Sequence, residues 1–184
     1  MSTEKIKDKI EIPQGIEVHL SDNILKIKGP KGSIEKKIYH PYFKIHIENN
    51  QILLEPTGKK YSKNKKRILK THKAHINNFV YGVNHGYIYH LKIVSGHFPM
   101  TVAMEGTSKI IIKNFLGEKV PRVAKILPNV KASIKNDEIT IEGMDKEAVG
   151  QTAANLEAAT RITNRDRRIF QDGIYITEKP KRSL

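Results

Sequence analysis

Apolar and polar residues alternate early in the chain, at Ile16, Val18 and Leu20 and again at Leu25 and Ile27, with Ser21-Asp22-Asn23 between the two runs. A period of two interrupted by turn residues predicts a β-hairpin. Lys28-Gly29-Pro30-Lys31-Gly32 makes a second turn, and Ile34, Lys36 and Ile38 suggest another strand. Lys44 to Ile47 and Ile52 to Glu55 flank Glu48-Asn49-Asn50-Gln51 in the same hairpin pattern. From Ser62 to Val83 the period lengthens. Leu69, His72, Ile76, Phe79 and Val83 fall on one helical stripe, with Ser62 or Asn64 as N-cap and Gly86 as the stop. Tyr87 to Val94 is dense in β-formers.

The second half repeats this order. Thr101 to Met104, Glu105-Gly106 and Lys109 to Lys113 form a hairpin pattern that closes on Gly117. Val120 to Ile126 is extended and broken by Pro121, and Lys131 to Ile134, Asn136-Asp137 and Glu138 to Glu142 make another hairpin. A helix from Asp145 to about Thr160 follows, with Val149, Ala153, Leu156 and Thr160 on one face. Gly32 aligns with Gly117, and KIHIENNQILLEP (Lys44 to Pro56) aligns with KASIKNDEITIEG (Lys131 to Gly143), at nearly the same offset. Such a match predicts a duplicated unit. The expected fold is α+β: two tandem similar domains, 1–95 and 96–184, each a small, mostly antiparallel sheet packed with one main helix.

The stretch from Gln151 to Arg182 gathers the most distinctive chemistry. Arg161, Arg165, Arg167 and Arg168 lie between the second helix and a last strand around Ile174 to Ile176, with only Asp166 among them to offset the charge. Arginine presents a planar fork of donors that grips phosphate bidentately and stacks on bases. The competing reading is a solvated turn whose arginines pair with Asp166, Asp172 and Glu178. Glu157 stands i, i+4 from Arg161 and is expected to meet it.

Charge favours a polyanionic partner. The chain has 33 Lys plus Arg against 19 Asp plus Glu, a formal net charge of +14 over 184 residues. Self-repulsion at that level disfavours a compact monomer, and nucleic acid is the leading partner. A second cationic run, Lys59, Lys60, Lys63, Lys65, Lys66, Arg67, Lys70 and Lys73, contains no acid. Two such runs point to a phosphate-binding surface. No apolar run reaches the ~18–20 residues of a spanning helix, and the N-terminus lacks a signal-peptide core, so no membrane role is expected. The absence of cysteine removes disulfides, thiolate zinc sites and thiol catalysis, and fits a reducing cytoplasm.

Catalytic signatures are lacking. His72 and His75 lie i, i+3, but neither an HExxH frame nor a third ligand accompanies them. Gly29-Pro30-Lys31-Gly32 lacks the GxxxxGK[ST] frame and reads as a β-turn, with Lys31 at its tip able to touch a phosphate. No enzyme activity, cofactor or metal is expected. Tyr39, Tyr42 and Phe43 flank Pro41, and core packing is the preferred reading over base stacking. Irregular folded RNA suits such a basic α+β chain, since no DNA-reading helix or zinc finger is recognisable.

The block NRDRRIFQDGIYI (Asn164 to Ile176), followed by Lys179, closely resembles the C-terminal signature of the ribosomal large-subunit protein six family, called protein nine in eukaryotes. Gln151 and Asn155, GIEV…LKIKGPKG near the N-terminus and THKAHINNFVYGV in the first helix extend the likeness, in the form of the archaeal and eukaryotic branch. The resemblance implies two tandem domains and a non-enzymatic, cytoplasmic component of the large ribosomal subunit. It implies binding of large-subunit rRNA near the sarcin–ricin loop and the stalk base, beside other large-subunit proteins and the place where translational GTPases dock. Carried onto this chain, the RNA-contacting residues are Gln151, Asn155, Arg161, Arg165, Arg167, Arg168, Lys179, Lys181 and Arg182. Lys31, Lys65, Lys66 and Arg67 are added from the charge pattern. Asp172-Gly173 is expected to fix the turn, and Phe170 and Tyr175 to anchor in the core.

Overall fold

The structure is a computed structural model that describes residues 8–48, 50–58 and 62–180. It divides into two compact units, Met1–His85 and Gly86–Leu184.

The first unit holds β1 (Asp8–Glu11), β2 (Glu17–Ser21), β3 (Ile24–Gly29), β4 (Gly32–Lys37), β5 (Phe43–Glu48), β6 (Gln51–Pro56) and α1 (Lys63–Asn84). β2-β3-β4 form one antiparallel sheet, and β1-β6-β5 form another. Asp22 and Asn23 both adopt positive φ, the conformation a tight two-residue hairpin turn requires. Leu25 and Ile27 of β3 turn inward, as their alternation predicts, and β6 buries Ile52, Leu53 and Leu54 in succession because it is the central strand. α1 packs across strands of both sheets. It buries Leu69, Ile76, Phe79 and Val83, four of the five residues on the expected stripe, while His72 is half-buried. Ser62 is its N-cap, the Oγ accepting from the Lys65 N–H at 3.3 Å.

The second unit holds β7 (Tyr87–Val94), β8 (Thr101–Glu105), β9 (Lys109–Lys113), a 3-10 turn (Phe115–Gly117), β10 (Arg122–Lys125), β11 (Val130–Lys135), β12 (Glu138–Gly143), α2 (Lys146–Ala159) and β13 (Gly173–Glu178). β8-β9-β10 and β11-β12-β7-β13 are its two antiparallel sheets. α2 is capped by Asp145, whose Oδ1 accepts from the Glu147 N–H at 3.0 Å, and it buries Val149, Thr152, Ala153 and Leu156.

The two units repeat one topology. β2-β3-β4 matches β8-β9-β10, and β1-β6-β5 matches β7-β12-β11, each followed by its helix. β7 therefore stands where β1 stands and belongs with the second unit, pairing with β12 and β13. The expected boundary near Ser95 differs from this division at His85. The pairing partners of β7 lie far along the chain, where local periodicity carries no information. β1, a four-residue strand with one buried apolar side chain, Ile10, went unpredicted for the same reason.

The turn Gly29-Pro30-Lys31-Gly32 is seated on the end of α1. The Lys31 N–H donates to the Val83 carbonyl at 3.0 Å, satisfying one of the carbonyls a helix end leaves open. A Cβ at Gly29 would lie 2.8 Å from that same oxygen and 3.0 Å from Val83 Cγ2. Gly29→Ala should accordingly cost about 1–3 kcal/mol of unfolding free energy, the usual range for overpacking. Urea denaturation measures it, and an unchanged midpoint would show that the turn does not depend on this close approach.

Candidate nucleic-acid interface

The arginines sit on a loop, residues 161–172, whose two ends are tied together. Thr160, 4% exposed just beyond α2, accepts from the Ile174 N–H at 2.9 Å and reaches back to the Leu156 and Glu157 carbonyls. The last strand is thereby stitched to the last turn of the helix. Arg122 closes the other side: its Nη1 donates to the Ala159 carbonyl at 2.9 Å and the Arg161 carbonyl at 3.2 Å. The same guanidinium is gripped bidentately by Glu118 at 2.6 and 2.7 Å and lies 4.3 Å from the centre of the Phe115 ring. Those hydrogen bonds from Arg122 hold the Glu118 carboxyl below its ordinary range, against the opposing effect of desolvation and with lesser help from the charges of Arg122 and Arg165.

Asp172 is the deepest anchor. Its side chain is 3% exposed; Oδ1 accepts the backbone N–H of Gly96 and, at 3.1 Å, that of His97. Oδ2 lies 3.1 Å from His97 Nδ1. Burial by itself would push this carboxyl up, but the two backbone hydrogen bonds, the ring hydrogen bond and the His97 charge together outweigh it and hold it below the ordinary carboxylate range. The expectation that Asp172-Gly173 fixes the turn agrees with this geometry. Phe170 and Tyr175 differ from their expected place: both are half-buried, while Ile174 fills the core. Phe170 packs on the His97 ring at 4.8 Å and lies under Arg165, whose guanidinium carbon is 4.9 Å from its centre. The Tyr175 hydroxyl donates to the Gln171 carbonyl at 3.0 Å.

Within the loop, Asp166 shapes the tip. Its carbonyl accepts from the Ile169 and Phe170 N–H groups, and its Oδ1 accepts from the Arg168 N–H at 2.9 Å. Arg168 also returns its guanidinium to Asp166 at 2.7 Å, so this arginine is part of the turn's own construction. That hydrogen bonding lowers the Asp166 carboxyl and raises the Arg168 guanidinium. Neither Asp172 nor Glu178 forms an ion pair with an arginine among the described residues. Arg161 and Glu157 do not pair either, contrary to their i, i+4 spacing. Both line a hollow of about 350 Å³ with Arg167, Thr160, Ile162, Ile174 and Tyr175. Arg161, Arg165 and Arg167 are exposed and carry no ion pair among the described residues.

The other expected contacts scatter. Gln151 is exposed on α2 and donates to Asn155 Oδ1 at 2.9 Å, while Asn155 donates to the Lys125 carbonyl at 3.0 Å and so ties α2 to β10. Lys179 is exposed just past β13; Lys181 and Arg182 lie outside the described residues. In the first unit, Lys31 is exposed at its turn, and Lys66 and Arg67 are exposed on α1, with Arg67 Nη2 donating to Asn64 Oδ1 at 2.8 Å. Lys65 bonds within its unit, to the Thr57 carbonyl at 3.0 Å. Lys59 and Lys60 of the same run lie outside the described residues. Sequence reasoning missed Arg122. Its only signal was its place after Pro121 at the start of a strand, and nothing local announces that it faces the end of α2.

The model of the ribosomal protein L6 family matches residues 12–86 and again 98–173. The chain belongs to the ribosomal protein L6 family. Among its relatives, the large ribosomal subunit protein uL6 of Methanobrevibacter smithii is 47% identical over 174 residues, 95% of this chain and 96% of that one. The uL6 of Sulfurisphaera tokodaii is 46% identical over 180 residues, 97% of this chain and 95% of its own. That of Methanocella arvoryzae is 44% identical over 179 residues, 97% and 99% of the two. The two family matches fall on the two structural repeats, and the loop at 161–172 lies wholly inside the second. Among the described residues of this family member, no helix is long and apolar enough to cross a membrane.

Asp172→Ala removes the acceptor shared by two backbone N–H groups and should destabilise the second unit by about 1–3 kcal/mol, the desolvation cost of a buried donor left unmet. Because the folded carboxyl titrates below its unfolded value, its contribution is complete above the ordinary carboxylate range and fades as pH falls through the lowered one. The unfolding free-energy gap between wild type and variant should be widest near neutrality and narrow below about pH 4. Urea titrations at a series of pH values give the comparison; a gap that widens in acid would contradict it.

Proposed function

We propose that this L6-family protein is a non-catalytic structural constituent of the large ribosomal subunit that grips large-subunit rRNA with the loop at 161–172. The observation that carries the reading is the state of three guanidinium groups. Arg161, Arg165 and Arg167 are exposed and free of ion pairs among the described residues, on a loop tied at Thr160, Arg122 and Asp172. Cations held on a rigid mount lose little conformational freedom when a phosphate arrives. Arg165, over the Phe170 ring, is positioned in advance, and Arg161 and Arg167 flank a hollow with room for part of a nucleotide. Gln151 and Lys179 extend the polar surface on either side in sequence.

The uL6 relatives are large-subunit proteins by name, and that assembly is the one assigned to this chain. The resemblance of NRDRRIFQDGIYI supports a place on the subunit beside the sarcin–ricin loop and the stalk base, next to other large-subunit proteins and where translational GTPases dock. The protein's part there is to order RNA so that the docking surface keeps its shape, with no bond made or broken.

Arg161→Gln together with Arg167→Gln should weaken binding to a large-subunit rRNA transcript and flatten its log–log salt dependence by between one and two units. Asp166→Asn should act oppositely, freeing Arg168 and strengthening binding at low salt. Filter binding across a salt series measures both, and nuclease protection of the sarcin–ricin region reports the location. An unchanged slope in the arginine variant would overturn the clamp; protection elsewhere on the transcript would overturn the placement alone.

A further inference from the structure

The repeat supplies its own control for the outer face of each three-stranded sheet. In β2-β3-β4, His19, Lys26 and Glu35 stand opposite one another in one exposed cross-strand row. Lys26 pairs with Glu35, and one row along Lys28 pairs with Glu17 at 3.4 Å. Leu25, Ile27 and Ile34 turn to the other face and into the core. The outer face of the first unit is therefore polar, and it closes these charges on itself. Exposed apolar side chains standing singly are ordinary and carry no message. Tyr39 and Tyr42, expected to pack in the core with Phe43, are 64% and 40% exposed, and Phe43 alone is buried.

In β8-β9-β10 the apolar side chains form a row. Counting two residues in from the end of the hairpin in each unit, the row that matches His19-Lys26-Glu35 is Ala103-Ile111-Val123. Ile110, Ile112 and Ala124 are buried on the opposite face, so these three point outward by the alternation of a strand. Val123 is 50% exposed, Ala103 is exposed and Ile111 is half-buried. The first unit's ion pair is thus replaced, position for position, by two β-branched apolar side chains, in a row that spans about 10 Å across the sheet. The charges around it are no longer closed. Lys113 stands where Lys28 does, with Thr101 opposite it in place of Glu17. Lys109 and Lys125 face each other directly, an arrangement that costs stability. Lys109, Lys113 and Lys125 are exposed and have no ion pair among the described residues.

We propose that the outer face of β8-β9-β10 docks an acidic, amphipathic segment of another protein. Its apolar side chains cover Ala103, Ile111 and Val123. Its carboxylates meet Lys109 and Lys125 on one side of the row and Lys113 on the other. RNA would use the lysines but leave the aliphatic row unmatched, since the row offers a base neither a ring nor a guanidinium. A second copy of the chain would set lysine against lysine. The inference goes beyond the ribosomal reading and shares no residue with the arginine loop: Arg122, the neighbour of Val123, turns to the opposite face and the end of α2.

Two fluorescein-labelled peptides of one leucine–glutamate composition test this on the full-length protein, one with its leucines on a single helical stripe and one scrambled. Wild type should bind the striped peptide about tenfold more tightly than the scrambled one. Ile111→Lys with Val123→Glu installs the pair that the first unit already carries, so the variant should melt like wild type and lose the preference. If it melts early, Val123→Glu alone makes the same comparison. Lys113→Gln with Lys125→Gln should weaken binding about threefold at low salt and leave it unchanged at high salt. Equal affinity for the two peptides, or a preference that survives the exchange at Ile111 and Val123, would overturn the inference. In large subunits assembled with Val123→benzoylphenylalanine, irradiation should give a nuclease-resistant adduct whose joined peptide carries carboxylates beside apolar residues. No adduct, an adduct with RNA, or one with a segment lacking acids would overturn it as well. Failure of the protein to enter large subunits would instead overturn the ribosomal reading, and the peptide titration would still decide the docking face.

Discussion

A buried carboxylate fixes where the arginines are. Asp172 leaves solvent and accepts from Gly96, from the His97 backbone and from the His97 ring, so the end of the loop cannot drift from the segment that leads into β8. A carboxylate without those donors would be expelled or neutralised at such burial; with them it is an anchor that also sets the position of Phe170 and, through that ring, of Arg165. In a loop dense with cations, an acid on the surface would compete with phosphate for the guanidinium groups. Asp172 avoids this by turning inward and bonding to N–H groups and an imidazole.

The repeat reuses one solution at the end of each helix. In the first unit the β3–β4 turn delivers the Lys31 N–H to the Val83 carbonyl; in the second the β9–β10 connection delivers the Arg122 side chain to the Ala159 and Arg161 carbonyls. Helix ends expose carbonyls that must find donors. The second unit meets that need with a longer connection through Phe115–Gly117 and a guanidinium that reaches farther than a backbone N–H. With that reach the chain leaves α2 under control, and a twelve-residue loop can be inserted before β13 without loosening the helix.

What could be read from the sequence follows from how local the cause is. Hairpins and helices were legible because alternation and the stripe Leu69-Ile76-Phe79-Val83 are short-range records of one buried face, and Ser62 and Asp145 are caps with a local mechanism. The arginine cluster was legible as composition. Its wiring was not: Glu157 shares spacing with Arg161 but no contact, Arg168 turns back on Asp166, and Arg122 acts from a distant connection. The pairing of β7 was equally hidden, since Tyr87–Val94 is apolar enough to suit either unit and only β12 and β13 decide.

Net charge is the remaining constraint, and it separates the parts of this chain that serve folding from those that serve binding. Cations with a partner inside their own unit, such as Lys73 with Asp8 and Arg122 with Glu118, strengthen the free protein. Cations left without one raise its energy by mutual repulsion, and the chain tolerates that only because strands, caps and buried contacts supply a margin. Among the described residues the unpaired set includes Arg161, Arg165 and Arg167 on the 161–172 loop and Lys63, Lys66 and Lys70 on α1, each built on a well-packed element. Repulsion confined to rigid elements cannot be relieved by local rearrangement, so it persists until a polyanion relieves it. The stability withheld from the free chain then reappears as affinity, and the RNA is selected by the shape in which these charges are held.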